Sequence, residues 1–189
     1  MAPHFSTLAF FGILAVQSPG SNAGTLPGGS QIDALVKENF GPAVSAVTEG
    51  GSGLPRYLRT PMVKAAVPVL VIPVSADQAK GTLNARGVKA LRLPGQSGDV
   101  DESIGANCLG LAFFHGLPAG SFSGKPSSVH LLYECFSGYT RVANRAHLLR
   151  RATPRADSDA VLLDLETGGQ LLVYWSGNRY ITKLVRRGD

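Results

Sequence analysis

The chain has 189 residues, and its two cysteines and four histidines are its chemically most versatile side chains. His4 falls in an N-terminal segment read below as a leader, which leaves His115, His130 and His147. Cys108 and Cys135 each lie in an apolar run with strand character, residues 106–114 and 129–136. In an oxidising compartment paired thiols become a disulfide and remain one. Cys135 alternates with Val129, Leu131 and Tyr133, so a Cys108–Cys135 bond is expected to be buried. Closing that loop should stabilise the fold by about 3 kcal/mol on the chain-entropy account. The competing chemistry is a reactive thiol beside a histidine, which requires a reducing compartment.

His115 ends the first of these runs, in Phe113-Phe114-His115-Gly116, where a loop could present it as a general base beside Asp99, Asp101 or Glu102. That constellation would suit a small secreted hydrolase. The plainer reading is a turn histidine without a role. His130 and Glu134 share a strand face, but four extended residues separate them by about 13 Å, too far for one metal ion. No metal or cofactor is expected.

Complete catalytic signatures fail on individual residues. Residues 119–126 approach a phosphate-cradling loop but carry Ala119 where glycine is needed and Pro126 where a hydroxyl is needed. Ser121 and Ser123 lack the flanking glycines of a nucleophile elbow. A calcium loop beginning at Asp99 would have Ile104 and Gly110 at its turn and bidentate positions. The balance leans away from an enzyme.

Positive charge offers a different chemistry. The net charge is +5, and residues 139–189 hold nine basic and five acidic side chains against nine and eight in residues 24–138. Arg141, Arg145, Arg150, Arg151 and Arg155 form one group, with 143–151 at helical spacing, and Arg179, Lys183, Arg186 and Arg187 form a second. Tyr174, Trp175 and Tyr180 cluster around the turn at 176–178. Trp175 falls on an apolar face with Leu171 and Val173, which leaves Tyr174 as the better candidate for exposure. Arg141, Arg145, Arg150, Arg151, Arg155, Tyr174, Arg179, Tyr180 and Lys183 make the candidate binding surface. Such a patch attracts acidic proteins, cell-wall polymers or lipid head groups, and otherwise serves as a solubilising face.

The elements that would position these residues follow from pattern. Residues 1–23 read as an export signal: 7–16 is an apolar run too short to span a bilayer, and Ser21 and Ala23 suit a peptidase cutting after Ala23. The lack of Lys or Arg before the run departs from that pattern, and a buried N-terminal element is the alternative. No other stretch could span a bilayer, and for an exported protein nucleic acid is the least fitting anionic partner. Residues 24–61 give a helix from Ser30, with Ile32, Leu35, Val36 and Phe40 on one face, then a flexible linker. Residues 62–189 form one domain.

Within that domain, 67–74 reads as a strand buried on both faces, with Pro68 and Pro73 at its ends or on an edge. A helix from 75 to Gly87 and a strand at 88–93 follow, as a βαβ unit or an antiparallel return. Runs at 160–165, 170–175 and 179–186, joined by glycine-bearing turns, predict a three-strand meander. The expected class is α+β: an antiparallel sheet with a C-terminal three-strand meander, one to three short helices and one disulfide. The expected function is a secreted or periplasmic non-enzymatic binding protein, of inhibitor, immunity or envelope-accessory type, that engages an anionic partner through its C-terminal basic and aromatic surface.

Overall fold

The computed structural model describes residues 29–47, 54–64, 67–76, 82–83, 86–91, 93, 108–143 and 158–185. Helix α1 (Gly29–Phe40) forms where the apolar spacing predicts it, burying Ile32, Leu35, Val36 and Phe40 completely or nearly so. Gly41, at φ 96°, ends it by donating its N–H to the Lys37 carbonyl at 2.8 Å, a left-handed stop that glycine adopts without steric cost. Asp33 pairs with Lys37 one turn on and accepts the Ala46 N–H, tying the helix to strand β1 (Ser45–Ala46).

Two sheets follow. The first contains β1, β2 (Leu58–Lys64), β3 (Val67–Ser75), β4 (Lys89–Leu91), β5 (Leu109–His115) and β6 (Ser128–Glu134). Its order is β1-β3-β5-β6-β4, with β2 pairing β3 as well. The second contains β7 (Phe136–Val142), β8 (Ala160–Leu165), β9 (Gln170–Trp175) and β10 (Tyr180–Val185), in the order β10-β9-β8-β7. The predicted meander is thus present but has four strands, joined by β7.

Alternation along each strand assigns three layers. Leu70, Ile72, Val74, Ala112, Phe114 and Leu131 face α1. Val69, Val71, Leu111, Phe113 and Leu132 face the opposite way and pack against Val161, Leu163, Leu171, Val173 and Tyr180 of the second sheet. On the far side of that sheet Val142, Leu162, Leu172, Tyr174 and Val185 form a third buried cluster. β3, β8 and β9 are therefore buried on both faces, which accounts for their unbroken apolar sequences.

Three expectations are corrected. β3 is central, yet tolerates Pro73 because β1 pairs it at residues 74–75 and β2 at 67–71, so Pro73 lies opposite the gap between them. Its missing N–H interrupts no ladder bond there. β4 is no neighbour of β3: β3 is antiparallel to β5, β5 to β6, and β4 is parallel to β6. β3 and β4 therefore run parallel with two strands inserted between them, a split crossover in place of an adjacent βαβ unit or antiparallel return. Most of the helix predicted over 75–87 lies outside the described residues.

The Cys108–Cys135 disulfide is present and half-buried, less enclosed than expected. Leu109 pairs with Glu134, so the bond extends the β5–β6 ladder by one position, where the chain leaves β6 in one sheet and enters β7 in the other. The Tyr133 hydroxyl donates to the Cys108 carbonyl at 2.7 Å. A second clasp joins the sheets: Asp159, 4 % exposed, accepts the Thr60 hydroxyl of β2 at 3.0 Å and the Arg141 Nε of β7. No helix among the described residues is long and apolar enough to cross a membrane.

Candidate functional site

The β5–β6 register brings the two described histidines together. His115 lies opposite Ser128, and His130 lies opposite Phe113, so the imidazoles are diagonal neighbours on the face turned toward the second sheet. Their ring centroids are 5.1 Å apart. From the other sheet come Tyr180 at the start of β10 and Trp175 at the end of β9, which are paired in register with rings 5.1 Å apart. Tyr180 stands 5.5 Å from His115 and 5.1 Å from His130, and its hydroxyl meets His115 Nε2 at 2.8 Å. Lys89 of β4 lies opposite His130 in the parallel pair and completes the cluster.

Electrostatics fix the protonation states. Burial, then the Lys89 charge, lowers the His115 pKa from 6.5 to about 4. Burial, then His115, then Lys89, does the same for His130, also to about 4. Both imidazoles are neutral at pH 7. Burial drives the Tyr180 pKa strongly upward, so the phenol keeps its proton and donates it to His115 Nε2. His130 Nδ1 is buried without a hydrogen-bond partner.

This is a poor general base. An imidazole titrating near 4, tied to a phenol and flanked by a lysine, has little affinity for a substrate proton at neutral pH. Among the described residues no carboxylate contacts either ring, while Asp99, Asp101 and Glu102 lie outside them. The forces that resist a proton here also resist a metal cation. Among the described residues no group of three or more His, Cys, Asp or Glu side chains could hold a metal ion.

Beside the cluster, Tyr180 also lines a groove of about 310 Å³ between the edge strands β4 and β10. Ala90, Leu91 and Leu93 form one wall, and Arg179, Tyr180, Ile181 and Thr182 the other. Arg179, Lys183 and Lys89 are all exposed, and neither Arg179 nor Lys183 is ion-paired among the described residues. Leu184, 56 % exposed, is the one large hydrophobic side chain left in water among them.

A second groove, of about 390 Å³, lies between α1 and the loop at 120–123. Arg59 holds that loop by donating to the Ser121 carbonyl and lying over the Phe122 ring at 4.7 Å. Ser121 Oγ engages the Ser123 N–H and hydroxyl, and no histidine lines the groove. It contains no activated nucleophile.

The sequence-derived binding surface is therefore divided. Arg141 is spent on Asp159, Tyr174 is buried in the far cluster, and Tyr180 is buried between the sheets. Arg145, Arg150, Arg151 and Arg155 lie outside the described residues. Arg179 and Lys183 remain exposed together on one strand. Lys89, His130 and the groove were not part of the sequence reading of this surface. The histidine pairing was accessible in principle, because reading 116–127 as a hairpin connection places His115 diagonal to His130. No family model, no curated protein and no solved structure matches this chain.

Proposed function

We propose that this protein is a secreted or periplasmic binding protein without catalytic activity, of inhibitor, immunity or envelope-accessory type. It engages an anionic partner at the sandwich edge formed by β4 and β10. The observation that carries this reading is the co-location of exposed, unneutralised Arg179 and Lys183 with exposed Leu184 on one edge strand beside a groove. Charge unmatched by nearby carboxylates, with an apolar side chain kept in water, is what a partner of opposite charge would satisfy. The disulfide supports an oxidising compartment. The neutral histidines, hydrogen-bonded and packed among aromatic rings, act as structural groups here.

Polyglutamate provides a direct probe. The wild type should bind it with an affinity that weakens steeply between low and physiological salt. Arg179→Glu/Lys183→Glu should abolish binding with folding unchanged, whereas Lys125→Glu, on the distant 116–127 connection, should retain it. Equal binding by both variants would exclude this edge.

A further inference from the structure

The proposed function leaves open what the groove itself holds. Its walls are apolar in Ala90, Leu91, Leu93 and Ile181, with the Tyr180 ring between, and no acidic residue is among its lining. Its cations are placed around that apolar floor. Arg179 is in the lining itself, Lys89 immediately precedes Ala90, and Lys183 immediately follows Thr182. Lys89 occupies the inward face of β4 with His130 and Leu91, where its charge acts on both imidazoles. The mouth is therefore positive and the interior apolar, a combination that suits a ligand with one negative end and a hydrocarbon body.

We propose that the groove between β4 and β10 binds an amphipathic carboxylate, an acid group joined to an apolar chain or side chain. This rests on the reading that the β4–β10 edge is the binding surface. The carboxylate is met by Arg179 with Lys89 or Lys183, and the apolar part covers Leu91, Leu93 and Ile181. A volume of 310 Å³ accommodates about ten atoms of water size at roughly 30 Å³ each, which fits an acid of eight to ten carbons or one terminal leucine with part of its neighbour. The same chemistry is offered by a free aliphatic acid and by the C-terminus of a peptide ending in apolar residues.

Trp175 is the chain's single tryptophan and lies 5.1 Å from Tyr180, so its fluorescence reports occupancy. Octanoate, decanoate, decanol and N-acetyl-Leu-Leu with a free or an amidated terminus would be titrated against the intact protein, and polyglutamate assayed alongside. Decanoate or the free-acid peptide should bind, and whichever is tighter names the source. Decanol and the amidated peptide should bind at least tenfold more weakly. Octanoate should fall about tenfold below decanoate, since each methylene contributes about fourfold. Arg179→Gln should weaken the acids at least fivefold with an unchanged circular dichroism spectrum. The proposal is overturned if decanol matches decanoate, if Arg179→Gln has no effect, or if neither acid binds. If neither acid binds while polyglutamate does, the groove proposal alone fails. If polyglutamate fails too, the edge reading falls with it.

Discussion

Acidification should unlock the seam between the two sheets, because the seam holds two imidazoles that resist protons only while folded. His115 and His130 titrate near pH 4 in the folded protein and near 6.5 when unfolded. Between these values the unfolded chain binds protons that the folded chain does not, so stability rises with pH across the window. It is complete above about pH 7 and is lost as pH falls through 6.5 toward 4. One imidazole depressed to this extent contributes about 3 kcal/mol at 1.36 kcal/mol per unit. The two are not additive, since His130 owes part of its depression to His115, and His115 is only half-buried. From pH 7 to pH 4.5 the pair should cost about 3 kcal/mol, a large share of a typical 5–15 kcal/mol. With a urea slope of about 2 kcal/mol/M, the midpoint should fall by roughly 1.5 M. Urea unfolding followed by Trp175 fluorescence at pH 7.5, 6.0, 5.0 and 4.5 measures this directly. His115→Gln/His130→Gln removes both titrating groups and leaves the carboxylates, so most of the slope should vanish in it. A double variant with the wild-type slope, or a wild type flat across the window, would refute the reasoning.

Two further outcomes test the clasps between sheets. Replacing Cys108 and Cys135 by alanine opens a loop of sequence separation 27 and should cost about 3 kcal/mol on the chain-entropy account, read as a lower thermal midpoint, and an unchanged midpoint would count against it. Asp159→Ala leaves the buried Thr60 hydroxyl without its acceptor and should cost about 2 kcal/mol. Arg141→Ala removes the half-exposed end of the same network and should cost less than about 1 kcal/mol, so equal losses in urea titrations of the two variants would contradict that division.

What the sequence reveals here is governed by how local the determining force is. Strands β8 to β10 were legible because unbroken apolar runs meet turns that need positive φ, and Gly168 and Gly177 adopt φ 89° and 104° there. Helix α1 was legible from the spacing of Ile32, Leu35, Val36 and Phe40. β7 was missed because it is an edge strand whose Ser137, Thr140 and Arg141 face water, which leaves only Phe136, Tyr139 and Val142 as signal. The split placement of β4 depends on β5 and β6, more than 15 residues downstream, inserting themselves between it and β3, and no local pattern encodes that. The site divided in the same way. Arg179, Lys183 and Tyr180 could be named from composition and turn position. Tyr180's inward direction depends on which face of β10 meets the first sheet, and the meeting of His115 with His130 depends on hairpin register.

The central claim is that binding resides at the β4–β10 edge, and amide chemical-shift mapping of the labelled protein with polyglutamate tests it most directly. The account predicts the largest shifts at Lys89 to Leu91 and Arg179 to Leu184, diminishing as salt is raised. Shifts concentrated at α1 and residues 120–123, or no saturable shifts at low salt, would contradict it.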